Sequence, residues 1–114
     1  MVYARDAGQI VTASAATGNT DPLAGASSYA KHQADVHTTG GTWRVWWETS
    51  PDGGTTWITA SDTLTLTGAA PGNSGIVTTS FFARAARLRW VRDVAAGALS
   101  AWLIQDDDTP NGAR

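Results

Sequence analysis

The chain has 114 residues, a net charge of −2 and no cysteine. This length suits one domain with one core, and the absence of cysteine excludes disulfides and thiolate metal sites. The weakly acidic net charge predicts no nucleic-acid or membrane partner. No apolar run approaches the about 20 residues that span a bilayer. The first residues (MVYARDAGQIV) lack the apolar core of a secretory signal, so none is expected.

Residues 1–27 are rich in Ala, Gly, Ser and Thr, and we expect them to form an extended N-terminal arm. Within it, residues 9–17 (QIVTASAAT) predict a possible first edge strand anchored by Ile10. Residues 18–22 predict turns, and Leu23 is the large apolar side chain that follows them. Because such a segment buries little surface alone, we expect it either to fray or to become ordered on a partner. Deletion of residues 1–23 should then leave the remaining domain folded.

Residues 28–106 show the alternation of side-chain types that is typical of short strands. After the first edge strand, strands are predicted within residues 28–39, 42–60, 64–67, 75–83, 85–93 and 98–105, the second of these ranges being a hairpin. Seven to eight short strands with Gly and Pro turns between them predict an all-β fold, an antiparallel β-sandwich that is jelly-roll-like. Residues 107–114 are predicted to form a polar C-terminal tail.

The hairpin of residues 42–60 (TWRVWWETSPDGGTTWITA) carries four of the six tryptophans. Two sets of side chains alternate along its first strand: Trp43, Val45 and Trp47 against Arg44, Trp46 and Glu48. This period of two predicts a strand with two distinct faces. Asp52 is placed to accept hydrogen bonds from backbone amides of the turn, and the following glycine pair permits positive φ. The second strand is expected to begin at Thr55.

Residues 50–57 (SPDGGTTW) resemble the Asp-box, S-x-D-x-G-x-T-W, of sialidases and related β-propellers. The fixed positions are all present: Ser50, Asp52, Gly54, Thr56 and Trp57. In that family the motif braces a hairpin far from the catalytic centre and repeats once in each blade. Here the motif occurs once, and a chain of 114 residues is too short for a six-bladed propeller. The resemblance therefore implies a structural turn braced by Asp52, and not a glycosidase.

Titratable side chains form no arrangement that predicts catalysis. His32 and His37 are five residues apart on a predicted strand, so they lie on opposite faces and do not converge on a metal ion. Residues 106–108 (DDD) are expected to be solvated. A basic run, formed by Arg84, Arg87, Arg89 and Arg92, suits an interface or intramolecular ion pairs better than nucleic-acid recognition. We expect no cofactor, no metal site and no enzymatic activity.

Several aromatic side chains fall out of phase with the predicted core. Trp46 faces away from Trp43 and Trp47, Trp102 is out of phase with its apolar neighbours, and Phe81 and Phe82 must point in opposite directions. Exposed aromatics usually mark binding, so these residues fit either a protein surface or a sugar ring stacked on an indole. Alternatively, a second sheet covers both faces.

The order of these segments resembles small β-sandwich proteins encoded among the structural genes of tailed bacteriophages. The resemblance rests on a variant of E-x-S-x-D-G-x-T-W at residues 48–57 and on a strand that carries Arg84, Arg87 and Trp90. It implies a virion protein, either a capsid decoration (cement) protein or a minor tail component. We therefore expect a non-enzymatic protein on the capsid exterior, synthesised in the host bacterial cytoplasm.

The expected partners are the major capsid protein and neighbouring copies of the chain, with a homotrimer as one arrangement. Candidate contact residues are Ile10, Val11 and Leu23 on the arm, and Trp46, Phe82, Arg89 and Trp102 on the sandwich. Two alternatives remain at this point. One is a carbohydrate-binding β-sandwich on a tail or head fibre that uses Trp46 or Trp102 as a stacking platform. The other is a tail-tube or tail-terminator protein.

Overall fold

A computed structural model describes residues 4–23, 31–68, 72–80 and 85–106, and in these ranges every regular element is a β-strand. The strands are β1 (Ala4–Ser14), β2 (Gly18–Asn19), β3 (Lys31–Thr38), β4 (Thr42–Ser50), β5 (Ile58–Thr59), β6 (Leu64–Thr67), β7 (Ser74–Ser80), β8 (Ala85–Val94) and β9 (Leu99–Asp106). Within the same ranges, no helix has the length and apolarity that crossing a membrane requires. The predicted tail, residues 107–114, lies outside the described residues.

The strands form two antiparallel sheets. The four-stranded sheet has the order β1-β9-β3-β7, and the five-stranded sheet has the order β2-β8-β4-β5, with β6 also paired to β4. Both β5 and β6 lie on the edge of β4 opposite β8, because the β4 residues that pair with them also pair with β8. The chain alternates between the sheets except from β4 to β6, which is the interleaving of a jelly roll. The predicted antiparallel β-sandwich is confirmed.

The core lies between the sheets and is built around β4. Trp43, Val45 and Trp47 point inward and are fully buried, which confirms the alternation read from the hairpin. The Trp47 Nε1–H donates to the backbone oxygen of Val77 across the sandwich at 3.0 Å, so its one polar atom is satisfied in the core. The cluster is completed by Val11, Ala34, Val36, Leu66, Val77, Leu88, Trp90, Leu99, Ala101 and Leu103.

The N-terminal segment belongs to the sandwich, which corrects the expectation of an extended arm over residues 1–27. The possible first edge strand is present, and it begins earlier than residue 9: β1 pairs with β9 from Ala4 opposite Asp106 to Ser14 opposite Leu99. Three register shifts interrupt this pairing. Such bulges make an exposed sheet edge a poor template for another strand. Residues 1–3 and 24–27 of the predicted arm lie outside the described residues.

Residues 18–23 continue this integration on the other sheet. Leu23 donates its backbone N–H to the oxygen of Ala86 at 2.8 Å, and β2 pairs with β8. A Cβ at Gly18 would lie 3.1 Å from the Trp90 ring, so the missing side chain lets this backbone pack on the indole. The small residues that suggested poor burial are therefore what allows the segment to cover a large aromatic from another strand.

Buried His32 predicts a loss of stability in mild acid. Its side chain lies in the core, with its ring centroid 5.7 Å from that of Trp47, and burial lowers its pKa from 6.5 to about 4. Between pH 6.5 and about pH 4 the unfolded chain binds more protons than the folded chain. The contribution of the neutral His32 side chain to the free energy of unfolding is therefore complete above pH 6.5 and is lost as pH falls towards 4. We expect the free energy of unfolding to fall by about 2–3 kcal/mol across this window.

Urea denaturation at about pH 7.5 and about pH 4.5 measures this loss. His37 is exposed on the same strand, so His37→Gln is the matched control and should keep the pH dependence. If the urea concentration at the midpoint of denaturation of the unsubstituted chain were the same at the two pH values, the prediction would be contradicted.

Candidate binding faces

The Asp-box-like turn is a closed hydrogen-bonded unit. Asp52 Oδ1 accepts hydrogen bonds from the Ser50 hydroxyl at 2.8 Å, the Thr55 N–H at 3.0 Å and the Thr56 N–H at 2.8 Å. These bonds, the Thr56 amide foremost, hold the pKa of Asp52 well below its usual range. The Ser50 hydroxyl oxygen in turn accepts the Gly54 N–H at 2.7 Å. The bracing role predicted for Asp52 is what the structure shows.

The second strand of the hairpin begins later than predicted. It starts at Ile58 and not at Thr55, because the amides of Thr55 and Thr56 donate to the Asp52 carboxylate and not to a neighbouring strand. The Trp57 indole N–H donates to the Gly54 oxygen at 3.2 Å, which anchors the ring at the base of the turn. The turn thus fixes where Trp57 lies on the outside of the five-stranded sheet.

Arginine and tryptophan side chains alternate across that outer surface, which we term the Arg–Trp face (Arg44, Trp46, Glu48, Trp57, Arg87 and Arg89). The Arg87 guanidinium lies 4.2 Å from the centroid of the Trp57 ring, and its Nε–H donates to Glu48 Oε1 at 2.8 Å. The other oxygen of Glu48 accepts the indole N–H of Trp46 at 3.2 Å. One carboxylate therefore links a cation–π pair to a second indole.

Contacts of the same kind continue along β4 towards its first residues, away from the turn. The Arg44 guanidinium lies 5.9 Å from the Trp46 ring and forms two hydrogen bonds to the Asp93 carboxylate, at 2.7 and 3.0 Å. Hydrogen bonding to Arg44 holds the pKa of Asp93 below its usual range. Arg44 and Arg87 each have a carboxylate partner, so their guanidinium groups are fixed in place.

Arg89 differs from these two arginines. It lies on β8 directly opposite Trp46 and is half-buried. No hydrogen bond or ion pair joins its side chain to any residue in the part of the chain that the structure describes. The Arg–Trp face therefore presents one guanidinium whose donors are uncommitted, beside a half-buried indole.

The outer face of the four-stranded sheet has a different character. Trp102 on β9 and Ile76 on β7 flank Asp35 on β3 in one row across the sheet, and they are 39% and 59% exposed. His37 and Ser74 form the next row. Between the rows runs a groove of about 420 Å³, floored by the backbone of residues 36 and 75, which we term the Trp102 groove.

The polar side chains of the Trp102 groove are held by neighbours. Gln33 donates its side-chain N–H to Asp35 Oδ1 at 2.9 Å. The His37 Nδ1 and the Ser74 hydroxyl share a hydrogen bond of 2.8 Å, whose donor depends on the imidazole tautomer. The groove therefore combines an exposed indole, a carboxylate acceptor and a paired imidazole and hydroxyl.

The structure separates the predicted contact residues into three groups. Trp102 is exposed in its groove, and Trp46 and Arg89 lie together on the Arg–Trp face. Val11 is buried in the core, and Ile10 and Leu23 pack against that core, so their assignment as partner contacts on a free arm is corrected. Phe82 lies outside the described residues.

The sequence did not reveal that four further residues line the groove beside Trp102: Asp35, His37, Ser74 and Ile76. The period of two puts Asp35 and His37 on one face of a strand, which was the available signal. Their meeting with Trp102 and Ile76 depends on the register between three distant strands, which no local pattern encodes. Within residues 4–23, 31–68, 72–80 and 85–106, no cluster of three or more metal-ligating side chains occurs.

Comparison with known proteins supports the fold and goes no further. No protein-family model matches the chain, and no curated protein matches it significantly. One solved structure, described as "Bacillus endospore appendages form a novel family of disulfide-linked pili", is similar with a TM-score of 0.53. The match has 15% identity and covers 93% of this chain and 86% of that chain. At this identity the similarity shows that the two chains share a fold.

Proposed function

We propose that this chain is a non-enzymatic structural protein of a tailed bacteriophage, a capsid decoration (cement) protein that binds the outer surface of the major capsid lattice. The observation that carries the proposal is the Arg–Trp face, where Trp46 and Arg89 lie side by side. Tryptophan and arginine are the residue types most enriched among the residues that dominate protein–protein affinity. The hairpin of residues 42–60, whose residues 48–57 resemble phage virion proteins, supplies four residues of this face: Arg44, Trp46, Glu48 and Trp57.

The contacts within the Arg–Trp face suit it for docking without rearrangement. Arg87 is held between Trp57 and Glu48, and Arg44 between Trp46 and Asp93, so little side-chain entropy remains to be lost on binding. The uncommitted guanidinium of Arg89 supplies a donor for a carboxylate of the lattice. The partner surface that best complements this face is flat and acidic.

Many copies would act together on a shell. Each contact buries on the order of 800 Å² per partner, and a repeated lattice offers many such contacts, so weak individual affinities sum to a strong clamp. The similar pilus protein is described as disulfide-linked. This chain has no cysteine, so no disulfide can join neighbouring copies, a homotrimer included.

Reversing the charge of Arg89 should weaken binding to heads at least tenfold, about 1.4 kcal/mol or more, because a carboxylate would then face the acidic partner surface. The measurement is co-sedimentation of the purified chain with heads of the encoding phage that lack it, comparing the unsubstituted chain with Arg89→Glu. The melting temperature should barely change, since the Arg89 side chain makes no hydrogen bond or ion pair within the described ranges.

Thr78→Glu is the matched control, because Thr78 is exposed on the four-stranded sheet and its substitution also adds a carboxylate. It should bind heads as the unsubstituted chain does. Equal binding of Arg89→Glu, or no sedimentation of the unsubstituted chain, would refute the proposed docking.

A further inference from the structure

We propose that the Trp102 groove is a carbohydrate-binding site that receives a pyranose ring. This site goes beyond the proposed function. It lies on the outer face of the four-stranded sheet, whereas the Arg–Trp face lies on the outside of the five-stranded sheet. Because the two sheets pack against each other, these surfaces point in opposite directions. A copy docked through the Arg–Trp face would still present the Trp102 groove to solution.

The position of Trp102 makes its exposure unusual. It lies on β9, which is flanked by β1 and β3, so the indole stands in the interior of a sheet and not at its edge. Neighbouring strands lie about 4.8 Å apart, so Trp102 and Ile76 stand about 10 Å apart with Asp35 between them. An indole with a carboxylate at its side forms a platform on which one flat ring fits.

The chemistry of the lining selects the class of ligand. Asp35 only accepts hydrogen bonds when ionised, whereas His37 and Ser74 can both donate and accept. A ligand that satisfies them must carry donors and acceptors together with an apolar face. A pyranose ring has these properties, because its hydroxyl groups donate to Asp35 and accept from the His37–Ser74 pair while its C–H face packs on the indole.

Two other ligands fit the lining less well. A basic side chain of a protein would pair with Asp35, but its donors offer nothing for His37 and Ser74 to donate to. An apolar protein patch would cover the carboxylate and leave its second oxygen without a hydrogen-bond donor, which costs several kcal/mol. The volume of about 420 Å³ also lies within the about 300–1,000 Å³ typical of small-molecule sites.

The site is ordered before any ligand arrives. Gln33 fixes the orientation of Asp35 at 2.9 Å, and Ser74 fixes that of His37 at 2.8 Å. Binding therefore requires little reordering of the polar side chains, which favours affinity for a small ligand.

The test is titration of the ¹⁵N-labelled full chain with three tetrasaccharides, of glucose, of N-acetylglucosamine and of mannose, each to about 10 mM, which detects millimolar dissociation constants. At least one should shift the Trp102 indole N–H and the Asp35 amide, and leave the indole signals of the core unmoved. Trp102→Ala should lower that affinity at least tenfold, Asp35→Asn several-fold, and Trp102→Phe less than Trp102→Ala.

Trp46→Phe on the opposite sheet is the matched control and should bind the sugar as the unsubstituted chain does. Three outcomes would overturn the site: no shift with any of the three sugars, a shift that persists in Trp102→Ala, or a Trp102 signal that moves with protein concentration alone, which would make the groove a contact between copies. No heads are present in this titration, so its failure would leave the proposed capsid docking untouched.

Discussion

Deletion of residues 1–23 is expected to abolish cooperative folding. The deletion removes β1, an edge strand of the four-stranded sheet, and β2, an edge strand of the five-stranded sheet. It also removes Val11 from the core. Two hydrogen bonds lose their acceptors: the Trp90 indole N–H donates to the Ala16 oxygen at 2.8 Å, and the Leu88 N–H donates to Thr20 Oγ1 at 3.1 Å.

The expected loss exceeds what a small domain can tolerate. Burial of Val11 contributes roughly 1.5–3 kcal/mol, and each of the two lost hydrogen bonds contributes about 0.5–1.5 kcal/mol. The deletion also exposes to water the face of the Trp90 ring on which Gly18 packs. The backbone pairing of β1 with β9 is lost in addition. A domain of this size is stable by about 5–15 kcal/mol in total, so the truncated chain should be mostly unfolded.

Far-ultraviolet circular dichroism and thermal unfolding of a chain of residues 24–114 measure this effect. A chain that lacks residues 107–114, which the sequence predicts as a polar tail, is the control and should melt cooperatively. If the chain of residues 24–114 instead gave a native spectrum and a sharp transition, the first 23 residues would be a dispensable arm after all.

Truncation of Trp47 is expected to cost about 3–5 kcal/mol of the free energy of unfolding. Its indole is fully buried between the sheets, packs near the His32 ring and donates its N–H to the Val77 oxygen. Trp47→Ala therefore leaves a large cavity and a buried carbonyl without its donor. The melting temperature should fall by roughly 15 °C or more.

Trp46→Ala, one residue away on the same strand, is the matched control for urea denaturation. Its side chain points outward and is only half-buried, so we expect a loss below about 1.5 kcal/mol. Trp47→Phe should retain part of the stability by filling most of the cavity. Equal losses for Trp46→Ala and Trp47→Ala would contradict the assignment of the two faces of β4.

The features of the fold that local chemistry determines were predictable from the sequence. The alternation from Trp43 to Glu48 gave the faces of β4, and Asp52 with its glycines gave the turn, because period and turn chemistry are set within a few residues. The predicted start of the second strand was wrong, because the Asp52 carboxylate accepts hydrogen bonds from two backbone amides that would otherwise pair with a neighbouring strand.

Features set by long-range pairing were not predictable. Small residues such as Gly18 gave no sign of burial, because the apolar surface they cover belongs to Trp90, more than seventy residues later in the chain. Likewise Asp35 and Trp102 meet only through the register of β3 with β9. The sequence pattern placed Trp102 outside the core but contained nothing that identifies its neighbours.

Electron cryomicroscopy of phage heads assembled with and without this chain tests the proposed function most directly. We predict added density for a β-sandwich on the outer surface of the capsid lattice in the heads that contain it. In that density Trp46 and Arg89 should face the shell, and the Trp102 groove should face outward. Identical maps of the two kinds of head, or a sandwich whose four-stranded sheet lies against the shell, would contradict the account.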